Sequence, residues 1–119
     1  MHGTFAQIIR AESCRLWLDD RATVFCTVSP EDHQWALQWR WHFVPDKHGR
    51  KFDARRNTRI AGRRVHVWLH KAILSERMGI LPPSELHTIG DHGNGDSLCN
   101  ERWNLAWATG SMNAKNRKR

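Results

Sequence analysis

Apolar positions along this chain change their period several times, and each change marks an element. Residues 5–10 and 14–18 alternate weakly, residues 21–28 (Arg-Ala-Thr-Val-Phe-Cys-Thr-Val) are rich in β-formers, and Asp19-Asp20 between the last two is a turn signal. An N-terminal hairpin is expected. Ser29-Pro30-Glu31-Asp32 then offers a cap residue, a proline at the first helical position and acids in the first turn, which predicts a short helix through about Leu37. Residues 38–44 read Gln-Trp-Arg-Trp-His-Phe-Val. Trp39, Trp41 and Phe43 fall on one face and Arg40 and His42 on the other, the period-two pattern of a half-buried strand.

The alternation continues beyond a turn at 45–49. A basic strand over 50–59, with Phe52 as its main apolar residue, leads through a turn at Ala61-Gly62 to a further strand over 63–69. These segments predict a small antiparallel meander, basic on its outer side. Residues 70–78 have helical spacing, with Leu69, Ile73 and Leu74 inward and Gly79 as the C-terminal stop. Pro82-Pro83 forces an extended connection. Residues 86–109 then read as two strands around a loop: 87–92 lead in, Gly93-Asn94-Gly95-Asp96 turns, and 103–107 lead out toward a helix beginning near Thr109. That order is a β-β-α finger. The fold class expected is therefore α+β, a small antiparallel β-meander with short helices followed by a C-terminal ββα finger. One domain spans 1–119, with 1–78 as its β-rich part and 84–119 as the finger.

Length and charge narrow the function. A chain of 119 residues forms one modest core and holds one active site at most. Its formal net charge of +7 directs it to polyanions, with nucleic acid foremost. The charge is uneven. Acids outnumber bases through Asp46, whereas from Lys47 to Arg77 only Asp53 and Glu76 oppose a run of lysines and arginines. Arg55, Arg56, Arg59, Arg63 and Arg64 lie on consecutive strands, and a basic two- or three-stranded ribbon suits the major groove of DNA. No apolar run approaches the roughly 18 residues of a membrane span, and no signal peptide opens the chain, which predicts a soluble cytoplasmic protein. The cysteines Cys14, Cys26 and Cys99 form no close pair, so neither a disulfide framework nor a structural zinc site is expected. The seven tryptophans are expected mostly in the core, where large rings supply buried area to a short chain.

The candidate chemistry lies in the finger. Asp91 and the amide oxygen of Asn113 are hard oxygen donors suited to Mg²⁺, Mn²⁺ or Ca²⁺, and such an ion keeps room for water and phosphate oxygens. Asn113 falls in the first turn or so of the last helix, from which it can point back at the strand carrying Asp91. His92 sits beside Asp91 on the opposite side of that strand, and an imidazole titrates near neutral pH, as a general base must. Asn94 and Asn100 read as turn residues and His70 as a packed or capping residue. His42, His48, His66 and His87 read as surface or DNA-backbone contacts.

Asp91-His92, Leu98-Cys99-Asn100-Glu101-Arg102-Trp103-Asn104-Leu105, Ala108-Thr109 and Asn113-Ala114-Lys115-Asn116 together resemble the HNH (ββα-metal) endonucleases of the bacteriophage homing type, in the variant whose last motif residue is Asn. Asn104 follows Asp91 by 13 residues and Asn113 follows it by 22, in agreement with that pattern. Val67-Trp68-Leu69-His70-Lys71 and Trp39-Arg40-Trp41 resemble segments upstream of the finger in such proteins. The resemblance implies a metal-dependent DNA endonuclease that nicks one strand of duplex DNA with one Mg²⁺ or Mn²⁺ per site. It implies His92 as general base, Asp91 and Asn113 as metal ligands and Asn104 as stabiliser of the finger. DNA contacts are expected at Arg40, Arg55, Arg56, Arg59, Arg63, Arg64, Arg102, Lys115 and Arg117, in a monomer or weak dimer working in the host cytoplasm if phage-encoded. Two positions depart from the pattern: Gly90 replaces an aliphatic residue, and Glu101 stands where an Arg commonly follows the Asn, with Arg102 expected to replace that Arg as a phosphate contact. A DNA-binding module without turnover and a nonspecific HNH nuclease remain alternative readings.

Overall fold

The computed structural model describes residues 14–45, 49 and 51–117. The strand expected at 5–10, and Lys47, His48 and Arg50 of the basic run, lie outside the described residues. Among the described residues the architecture is α+β, with three small sheets and short helices. β1 (Arg15–Trp17) and β2 (Phe25–Val28) form the expected hairpin, paired antiparallel with Leu16 opposite Cys26. The Asp19 carboxylate closes its turn by accepting from the Thr23 and Val24 amides and the Thr23 hydroxyl. α1 (Pro30–Ala36) starts at its proline as predicted. The Ser29 hydroxyl does not cap it but accepts a hydrogen bond from the Arg102 amide at 2.8 Å.

The second sheet is the predicted meander: β3 (His42–Pro45), β4 (Phe52–Ile60) and β5 (Arg63–Trp68), antiparallel in chain order. Two details are corrected. The strand expected from residue 38 begins only at His42, because the amides of residues 37–39 still bond to carbonyls of α1 and the Trp41 indole donates to the Ala36 carbonyl at 2.8 Å. Phe52 is not the inward anchor of β4; it lies at the surface, edge-on to Phe43, and Ala54 is the buried residue. The β4–β5 turn uses Ala61 and Gly62, both at positive φ, which matches the twist of a two-residue hairpin.

α2 (Leu69–Ala72) continues as a π turn over Ile73–Arg77 and stops at Gly79, whose φ of 68° suits a residue without a side chain. β6 (Ile89–His92) and β8 (Leu105–Ala108) pair antiparallel, β7 (Cys99–Asn100) lies between them in sequence, and α3 (Gly110–Arg117) follows β8 and packs on β6 and β8. β7 leaves this pair and joins β2 in parallel, Val28 beside Asn100, a pairing that period-two alternation cannot announce.

The core gathers Leu16, Leu18, Cys26 and Val28 of the hairpin segment, Ala36, Trp41, Ala54, the α2 residues Leu69, Ile73 and Leu74, and Leu105 of β8. Through Leu105, with Leu98 and Trp107 packed beside it, the β6–β8 segment is thus built into this core rather than appended to it. Among the described residues no helix is long and apolar enough to cross a membrane.

Candidate functional site

His92 ends β6 opposite Leu105, so it shares the inward face of the strand and is only 8% exposed, while Asp91 opposite Ala106 turns to the other face and is half-buried. The His92 Nε2–H donates to the Asn100 amide oxygen at 2.8 Å. With Nε2 engaged by Asn100, Nδ1 is the ring nitrogen that can serve as base or ligand. Asn100 is itself held by β2 and is almost wholly buried, so it orients an imidazole instead of serving as the turn residue expected. Its other neighbour is Cys26, whose thiol burial pushes up to about 12, partly countered by the Asn100 amide.

Asn104 closes the intervening loop. Its amide oxygen accepts from the Asn94 N–H at 2.8 Å, and its amide nitrogen donates to the Asn94 side chain at 3.0 Å and to the Cys99 carbonyl at 2.8 Å. The Gly93 amide donates to its carbonyl at 2.7 Å. Buried amides satisfied on this scale fix a loop in one conformation. Asn113 lies one turn into α3, half-buried, its amide bonded to the Thr109 carbonyl, while the Thr109 hydroxyl accepts from the Met112 amide as a cap. Asp91 and Asn113 are oxygen donors on two packed elements. Such a donor set fits a hard dication that takes its remaining ligands from water and phosphate.

Two further residues come to the same place without having been expected there. His70, from the first turn of α2, sets its ring 4.8 Å from that of His92, centroid to centroid. Asp53, from β4, joins them, and ligand atoms of Asp53, His70 and His92 all lie within 4.8 Å of one another. Asp53 and His70 also line a cleft of about 310 Å³ with Trp68, Lys71, Thr88, Ile89 and Gly90. Burial, and after it the neighbouring His92 and Lys71, push the His70 imidazole down to about 3, so it is neutral near pH 7. A signal for His70 was present in the sequence at Gly90. A Cβ there would stand 2.4 Å from the His70 ring, so the aliphatic residue of the HNH pattern is missing where the imidazole sits.

The basic residues divide by strand face. Asp53, Arg55, Asn57 and Arg59 alternate onto one face of β4, opposite Val44, His42, and then Trp68, His66 and Arg64 of the neighbouring strands. The face that presents Asp53 to the two histidines therefore continues as a row of cations. Arg59 and Arg64 stand directly opposite each other, an arrangement that costs stability in the free protein and that a polyanion relieves. Arg55 lies over Trp68.

The other arginines have different surroundings. Arg56 turns to the opposite face, its guanidinium 4.2 Å from the Trp39 ring centroid and its Nε buried, so it is packed rather than offered to a ligand. Arg102, expected at a phosphate, is bound to Asp32 through Nε at 2.9 Å and Nη2 at 2.7 Å. Its guanidinium is occupied because a fully buried carboxylate needs compensation. Arg40 is exposed and pairs with Asp20, Arg63 is exposed on the Arg56 face, and Lys115 is exposed on α3. The side chain of Arg117 is outside the described residues.

No family model, curated protein or solved structure matches this chain. The site itself carries the functional information. Its parts are an oriented imidazole, an adjacent carboxylate, an amide on a packed helix and a row of cations leading up to them.

Proposed function

We propose that the chain is a metal-dependent DNA endonuclease of the HNH type that hydrolyses one phosphodiester bond of duplex DNA. The observation that carries the reading is the orientation of His92 by Asn100 at 2.8 Å, on the strand that also bears Asp91. In this reading His92 Nδ1 takes the proton from a water aimed at phosphorus while Nε2–H stays on Asn100. Asn104 holds the loop so that the imidazole needs no reorganisation during the reaction. Asp91 and Asn113 would hold one Mg²⁺ or Mn²⁺, which supplies Lewis-acid stabilisation of the phosphate and the departing 3′ oxygen. Arg55, Arg59, Arg64 and His66 grip the DNA backbone, and one site per chain implies a nick.

The experiment is conversion of supercoiled plasmid to open circles with Mg²⁺ or Mn²⁺ against EDTA, with His92→Ala beside the wild type. Metal-dependent nicking should fall by a factor on the order of 10²–10⁴ in the variant while DNA affinity is kept. Undiminished nicking would remove His92 as the base. A second reading, a DNA-binding module without turnover, draws on the burial of His92, because a base must reach water. Tight binding with no nicking on several DNAs would favour it.

A further inference from the structure

We propose that Asp53, His70 and His92 form a binding site for a transition-metal dication of the zinc type, separate from the Asp91–Asn113 oxygen pair, and that an ion held there withdraws His92 from catalysis. The inhibitory half rests on the nuclease reading; the site itself does not.

Two imidazoles and one carboxylate are the donors zinc prefers, whereas magnesium takes oxygen. The three donors come from β4, α2 and β6, and each is anchored by its neighbours. Ala54 beside Asp53, Leu69 beside His70 and Leu105 opposite His92 are all core residues. Ligand atoms within 4.8 Å of one another need only close to about 3.4 Å, the separation of tetrahedral ligands about 2.0–2.1 Å from zinc. An outer partner is already in place, because the His92 Nε2–H bonded to Asn100 is the contact that orients a histidine ligating through Nδ1. Gly90 leaves the space that seats His70, and the cleft lined by Asp53 and His70 gives an ion its route in. One lone pair cannot both coordinate a metal and accept a proton. Zinc at His92 therefore removes the base.

The test is calorimetric titration of metal-stripped, full-length protein with Zn²⁺, using wild type, Asp53→Asn, His70→Gln and Asp91→Asn, each checked for folding by circular dichroism. One equivalent should bind to wild type and to Asp91→Asn alike, and at least tenfold more weakly to Asp53→Asn and His70→Gln. Asp53→Asn keeps the side-chain shape and carries the test if His70→Gln does not fold. Zinc binding unaltered by Asp53→Asn would overturn the site. In plasmid nicking with Mg²⁺, added Zn²⁺ should stop wild type, while Asp53→Asn should need at least tenfold more for the same inhibition. Equal inhibition of the two would overturn the inhibitory role. Wild type that never nicks would overturn the nuclease reading, and with it the inhibitory half, while the calorimetry still decides the site.

Discussion

At the scale of single residues, Gly90 and Cys26 show how closely the candidate base is boxed in. A methyl group at position 90 meets the His70 ring at 2.4 Å, and that ring is buried against His92, so it has little freedom to yield. Gly90→Ala should cost about 1–3 kcal/mol of stability in urea denaturation, as overpacking does, and should lower nicking in parallel by displacing the imidazoles. Cys26 lies behind Asn100 in the same packed layer, and burial raises its thiol from 9.0 to about 12. Between those values the unfolded chain has released the proton that the folded protein still holds. Stability is therefore full below about pH 9 and falls as pH rises toward 12. Stability from urea denaturation should fall less between pH 9 and 12 for Cys26→Ala than for wild type.

At the scale of elements, β4 deals its side chains alternately to two tasks. One face sends Arg56 onto Trp39 and Trp41, and the other aligns Asp53, Arg55 and Arg59. Basic residues in a run therefore cannot be treated alike, since period two gives half of them to packing. Arg59→Ala combined with Arg64→Ala should weaken DNA binding and reduce the magnitude of its logarithmic salt slope by about 2, measured by fluorescence anisotropy over a salt series. Arg56→Ala should leave the slope near wild type and lower stability instead, because a guanidinium stacked on indole rings acts through packing.

For the whole molecule, Asp32 is the fastening. It is fully buried at the start of α1, where Arg77 from the end of the π turn and Arg102 from just before β8 both bond to it. Three segments distant in sequence meet on one carboxylate, and Arg102 also binds Ser29 through its amide. Asp32→Ala should destabilise the protein by about 3 kcal/mol in urea denaturation. It should also loosen the 93–104 loop, seen as faster amide hydrogen exchange at Asn94, whose N–H is bonded to Asn104.

The residue pattern by itself determined most of the local structure. The first hairpin turn at Asp19, the proline start of α1, the Ala61-Gly62 turn, the inward face of α2 and the strand, loop, strand and helix order of 87–117 all follow from periodicity and turn chemistry, which act within a few residues. The spacing of Asp91, His92, Asn104 and Asn113 was legible for the same reason, all four lying on neighbouring turns of chain. Only the tertiary structure decided what reaches these residues from far away. Asp53 and His70 at His92, Asn100 behind it through the parallel β2–β7 pair, and Arg102 on Asp32 are contacts between segments about 20 to 70 residues apart. Their partners are selected by burial and charge compensation in the assembled core, and no pattern confined to one element encodes that choice.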